Sequence, residues 1–171
     1  MKDKLLSKQG WVILLICIIS FFINNRVVVP DIMEARNMVT AREMVHDGNW
    51  LVPTMNGDLR LEKPPLPTWL TAVAEMISPD NLALQRAMAG FAAILLVAFF
   101  YLTAVQVMRN KRYAFISTIL LCTCYNIILM GRTASWDIYC HAFMMGAIYF
   151  LIKAFAAKVC SWKDFTWAGV F

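Results

Sequence analysis

LALQRAMAGFAAILLVAFFYLTAVQVM, residues 82–108, decides the fold class. Apart from Arg86 it carries no charge, and it is longer than the roughly 20 apolar residues a helix needs to cross a bilayer core. Inside lipid a backbone must satisfy its own hydrogen bonds, so such a run is a helix. Outward from it, Tyr113–Met130 and Ile138–Ala157 are of the same kind, and Trp11–Ile23 joins them when extended toward Val29. With 16% charged residues and a mean hydropathy of +0.60, the 171-residue chain lies outside soluble composition, where about 25% of residues are charged. The expected fold is an all-α integral membrane protein with about four transmembrane helices. FTWAGVF, residues 165–171, reads as the start of a fifth, so a fragment of a longer polytopic protein is expected.

Orientation follows from the cations, because cytoplasmic flanks collect Lys and Arg without matching acids. Lys2, Lys4 and Lys8, then Arg109, Lys111 and Arg112, then Lys153, Lys158 and Lys163 mark that side. The net charge of +5 is therefore a topological signal and gives no reason to invoke nucleic acid. No small-residue cleavage site follows the first apolar run, so residues 1–29 read as an uncleaved anchor. Residues 30–81 form an extracytoplasmic loop of mixed charge, and residues 82–171 hold the later spans. None of the five cysteines falls in that loop, which argues against a disulfide framework.

The loop carries its own punctuation. Asp31 and Glu34 have the spacing of a capping box, apolar residues recur at helical intervals after them, and Gly48 supplies a stop. This amphipathic helix is expected to lie at the membrane surface. Asn56-Gly57 can close a hairpin, and Pro65 and Pro67 can open a further short helix that Ser78-Pro79-Asp80 ends. Trp50 and Trp69 suit the interface between lipid and water. Between the hairpin and that helix, GDLRLEKPPLPTWL (57–70) sets Glu62 and Lys63 side by side before prolines, which keep the backbone extended and free both side chains to project.

The run MEARNMVTAREMVHDGNWLVPTMNGDLRLEKPPLPTWL (33–70), followed by spans and then GRTASWD (131–137), resembles the amino-terminal part of membrane glycosyltransferases of the GT-C class. Lipid A aminoarabinose transferases and protein O-mannosyltransferases belong to that class. The resemblance implies an enzyme of the bacterial inner membrane, amino terminus cytoplasmic, that takes a sugar from a polyprenyl-phosphate donor. Its acceptor would be a lipid, a glycan or a protein, and its site would be periplasmic. In such relatives the first outer loop begins with an Asp-Glu pair and an Arg two residues on. Here Glu34 and Arg36 match while Met33 stands at the Asp position, so Asp31 and Glu34 become the joint catalytic candidates. The E-K-P match implies that Lys63 contacts the donor phosphate and that Glu62 lines the same cavity.

The chemistry agrees: sugar transfer needs a carboxylate for the acceptor and cations for the departing phosphate. Plainer readings stand beside these. Asp31 and Glu34 cap a helix, Glu62 and Lys63 form a loop ion pair, Arg42 and Glu43 make a solvated or paired face, and Arg86 snorkels to headgroups. Arg36, Arg60, Glu62, Lys63, Arg86, Arg132 and Asp137 are the substrate-binding candidates. Arg132 and Asp137 sit in the short connector, where ionisable residues should face a polar cavity. His141 shares a helical face with Asp137, and a lone His satisfied by Asp is the commoner outcome, so no metal ligand is assigned. A divalent metal is compatible with the reaction and is not required by the sequence. The alternative function is a non-catalytic polytopic module, such as a transporter or flippase fragment or an assembly subunit. The charges cluster in one outer loop and not at mid-membrane, which favours a reaction on a lipid headgroup.

Overall fold

The structure, a computed structural model, describes residues 8–156 and 162–171. It is mostly helical: α1 (Lys8–Phe22), α2 (Ile32–Asp47), a hairpin of β1 (Thr54–Met55) and β2 (Asp58–Leu59), α3 (Pro65–Ile77), α4 (Leu82–Met108), α5 (Lys111–Cys122), α6 (Tyr125–Gly131), α7 (Asp137–Ala156) and α8 (Trp162–Val170). The long α4 is the central post, with α1, α3, α5, α6 and α7 against it. On its buried face Ala89, Ala92 and Ala93 let neighbouring backbones approach and Leu96 and Val97 fill the space beyond, with Cys17 and Phe21 of α1, Cys122, Ile138 and Ala142 in the same core. Gly131 belongs to this close packing, because a Cβ there would stand 2.6 Å from the Phe21 ring and 3.0 Å from Ala93.

Of the expected spans, α4 and α7 are long and apolar enough to cross a membrane. The third expectation, a continuous helix over Tyr113–Met130, is corrected: α5 and α6 are separate pieces bent by 64°. Thr123 Oγ1 donates back to the Ile119 and Leu120 carbonyls at 3.0 and 3.2 Å, and Cys124 adopts an extended backbone. Back-bonding of this kind bends a helix, and the extended residue ends it. Counted together the pair makes a third candidate span. The 15 residues of α1 reach about 22 Å at 1.5 Å per residue, short of a bilayer core of about 30 Å.

The loop between α1 and α4 folds as a layer of α2, the hairpin and α3. Asp31 caps α2 by accepting from the Glu34 amide at 2.7 Å, and Gly48 ends it in the left-handed region at φ 74°. The reciprocal half of the expected capping box is missing, since the Glu34 carboxylate is engaged elsewhere. Asn56 and Gly57, at φ 57° and 82°, turn the hairpin, and Thr54 pairs with Leu59. Pro65 opens α3, where its missing amide hydrogen costs nothing. Ala41 and Met44 of α2 pack on Ala72 of α3, flanked by Trp50 and Trp69, and the Trp69 Nε1–H donates to the Trp50 carbonyl at 2.8 Å.

Candidate functional site

Two polar groupings lie between this layer and the ends of the long helices. The first is closed. Glu34 and Arg86 are both 0% exposed and meet as a fork: Arg86 Nε and Nη2 donate to the two Glu34 oxygens, each at 2.7 Å. Arg86 Nη1 donates to the Asn25 carbonyl, and the Ala134 amide donates to Glu34 Oε1 at 2.9 Å. One helical turn on, Asn37 donates to the Ala134 carbonyl at 2.7 Å and to Thr71 Oγ1 at 3.0 Å, and accepts from Thr68 Oγ1 at 2.8 Å. Thus α2 grips the α6–α7 connector by both backbone groups of Ala134, and ties it to α3 and α4. The snorkelling expected for Arg86 does not occur, because a lone charge in an apolar helix has found a buried partner. Two charges so deeply desolvated depend on each other, and loss of one strands the other at about 3–5 kcal/mol.

The second grouping is open. A pocket of about 200 Å³ is lined by Arg36, Asn56, Asp58, Arg60 and Glu62 among others. Arg60 is held firmly: its Nη1 donates to the Arg36 carbonyl at 2.7 Å and to Thr40 Oγ1 at 2.9 Å, and its guanidinium lies 5.1 Å from the Trp136 ring centre. Burial pulls its pKa below the ordinary arginine range; the Glu62 carboxylate opposes that and Arg36 adds to it. Lys63 is exposed, with Nζ 5.5 Å from the centre of the same indole. The loop ion pair between Glu62 and Lys63 does not form, and among the described residues none of Arg36, Arg60 and Lys63 has an ion-pair partner.

The remaining candidates are dispersed. Asp31 is exposed at the start of α2, with one oxygen committed to its cap. Arg132 turns to α1, where it donates to the Ser20 and Ile23 carbonyls and so complements the negative end of that helix. Asp137 is exposed as the first residue of α7, and His141 Nδ1 lies 2.6 Å from its main-chain carbonyl; that carbonyl, and not the carboxylate, is the ring's partner. Arg42 pairs with Asp80 and approaches Glu75 at 3.9 Å. Among the described residues no cluster of three or more His, Cys, Asp or Glu could hold a metal.

Three residues around the site escaped sequence reasoning. Glu43 accepts from Thr54 Oγ1 at 2.7 Å and from the Asn56 amide, pinning the hairpin that lines the pocket; its place on a charged helix face gave no hint of this. Asn37 looked like any polar residue on a surface helix. Trp136 is 4% exposed beneath two cations, and its only signal was a position within GRTASWD.

The chain is 34% identical over 92 residues to an undecaprenyl phosphate-alpha-4-amino-4-deoxy-L-arabinose arabinosyl transferase of Pseudomonas savastanoi pv. phaseolicola, covering 54% of this chain and 17% of that protein. It is 31% identical over 108 residues to a transferase of the same name from Shewanella sediminis, covering 63% of this chain and 19% of the other. The chain thus spans less than a fifth of these relatives. Its fold matches the crystal structure of ArnT from Cupriavidus metallidurans bound to undecaprenyl phosphate, with a TM-score of 0.79 at 18% identity over 96% of this chain and 30% of that one. The family profile of the dolichyl-phosphate-mannose-protein mannosyltransferases matches residues 11–171, and the chain belongs to that family.

Proposed function

We propose that this chain is the amino-terminal part of an inverting glycosyltransferase that moves a sugar from a polyprenyl-phosphate donor to a lipid, glycan or protein acceptor. The observation that carries the reading is the open cationic grouping: Arg36 and Arg60 line one pocket with Asp58 and Glu62, Arg60 and Lys63 lie over one indole, and none of the three cations has an ion-pair partner among the described residues, while Arg42, Arg86 and Lys153 are all paired. Cations without an ion-pair partner, Arg60 among them held in advance by two hydrogen bonds, suit a leaving phosphate, whose negative charge grows as the bond to the sugar breaks. Beside Lys63, a cleft of about 450 Å³ begins at Pro64 and continues along Leu66, Tyr139, Phe143 and Phe171. Its apolar lining suits an isoprenoid chain. The names of the two transferases and of the ArnT structure, with undecaprenyl phosphate in each, support the same donor class.

In this reading Lys63 contacts the donor phosphate, Arg60 and Arg36 add to the positive field, and Glu62 faces the sugar. Asp31 is the exposed carboxylate offered to the acceptor. Glu34, with both oxygens occupied, serves by holding the connector through Ala134 and Arg86. Arg132 and Asp137 act through the ends of α1 and α7. Residues 1–29 anchor the chain in the bacterial inner membrane with a cytoplasmic amino terminus, residues 30–81 form the periplasmic site layer, and residues 82–171 supply the later spans. On this view α1 with its flanks, α4, the bent α5–α6 pair and α7 are four crossings, and α8 begins a fifth.

The test is turnover of the full-length protein in membranes with a polyprenyl-phosphate sugar donor, at matched expression. Lys63→Ala is expected to lower the rate about a hundredfold or more, the usual effect of removing one such contact, and Lys63→Arg to keep a fraction of it. An unchanged rate for Lys63→Ala would remove the donor-phosphate role.

A further inference from the structure

Trp136 connects the closed grouping to the open one. It follows the clamped Ala134 by two residues, and its carbonyl accepts from the Cys140 amide at 3.3 Å in the first turn of α7. Its ring lies 5.1 Å from the Arg60 guanidinium carbon and 5.5 Å from the Lys63 ammonium. We propose that Trp136 is a positioning residue: its indole holds the Lys63 and Arg60 cations in place for the phosphate of a polyprenyl-phosphate donor. This inference rests on the donor-phosphate reading above and deepens it.

Three physical points support it. A carboxylate could also hold Lys63, but it would cancel the field that a phosphate must feel, whereas an aromatic face attracts the ammonium and leaves its charge intact. Lys63 needs such a partner, because its four-carbon stem is exposed and its ammonium, without a hydrogen bond or ion pair among the described residues, lies over this ring. Finally, the Trp136 Nε1–H is buried without an acceptor among the described residues. Burying an unpartnered donor costs stability that a phenylalanine would not forfeit. Trp is, however, the strongest ring for holding a cation, so the indole in this place points to a role for its face.

The buried Glu34–Arg86 pair acquires a purpose from this arrangement. Glu34 and Asn37 fix Ala134, and Ala134 fixes the start of the segment that presents the ring. The cations on the pocket side are thus registered against α2 through the connector.

The experiment is a double-mutant cycle on the full-length protein, reading affinity for undecaprenyl phosphate in detergent or nanodiscs. Trp136→Leu is expected to weaken binding about threefold to thirtyfold, and Trp136→Phe by less, because a phenyl face still attracts a cation. In a Lys63→Ala background the Trp136→Leu penalty is expected to shrink by about threefold or more, leaving the part that acts through Arg60. Equal penalties in both backgrounds would show that the ring does not act through Lys63 and overturn the inference, with the donor-phosphate reading intact. No loss of affinity in Lys63→Ala itself would overturn both. If Trp136→Leu does not accumulate in membranes, the cycle run with Trp136→Phe makes the same comparison with a smaller expected penalty.

Discussion

Replacing Glu34 with glutamine separates the two roles that its sequence context suggests. The native carboxylate accepts two guanidinium bonds at 2.7 Å and the Ala134 amide at 2.9 Å, all at a fully buried position. A glutamine side chain would offer one acceptor oxygen in place of two, turn an amide N–H toward the Arg86 N–H groups, and leave the arginine charge uncompensated. Breaking a buried pair from one side costs about 3–5 kcal/mol, a large share of the roughly 5–15 kcal/mol that keeps a domain folded. Denaturation of the purified protein at fixed detergent is the assay, with turnover measured on the same preparations. Glu34→Gln should lose stability and activity together. Adding Arg86→Met should then cost little more, because the stranded charge is gone. Asp31→Asn is the contrast: asparagine caps a helix about as well as aspartate, so stability should hold while turnover falls if Asp31 serves the acceptor. A Glu34→Gln protein within about 1 kcal/mol of wild type that is catalytically dead would refute the structural role and restore Glu34 as the reacting carboxylate.

Asn37→Ala removes three buried hydrogen bonds and should destabilise by about 3 kcal/mol, at roughly 1 kcal/mol each, in the same denaturation assay. Glu43→Ala removes the two bonds by which α2 holds the hairpin at Thr54 and Asn56, so hydrogen exchange should rise at Thr54–Leu59 and donor affinity should fall, with the denaturation midpoint changed far less than by Asn37→Ala. Gly131→Ala drives a methyl into the Phe21 ring and should cost about 1–3 kcal/mol, read as a lower unfolding midpoint. Cysteines placed at Asn56 and Asn110 should label from opposite sides of the membrane, Asn56 from outside; the reverse pattern would invert the proposed topology.

Much of the local architecture was legible in the residues. Asp31 starts α2 and Gly48 ends it, Asn56-Gly57 turns the hairpin, and Pro65 opens α3, each as expected. The long apolar run of α4 is a helix for the same kind of reason: backbone hydrogen bonding within a few residues decides these features. The break in the third span was not legible, since Thr123 in an apolar run looks like a continuation until its hydroxyl is seen bonded back to the helix.

What the sequence determined by itself is the helical membrane class, the family pattern, and the residues from which a site could be made. What the tertiary structure decided is which of those residues are neutralised and which stay free. Glu34 and Arg36 are two positions apart, yet one is sealed against Arg86, 52 residues away, and the other lines an open pocket. Arg60 and Lys63 look alike as loop cations until both are found on the ring of Trp136. The physical reason is that capping and turn signals act through the neighbouring backbone, whereas the state of a charge depends on the partner and the burial that packing brings from a distant part of the chain.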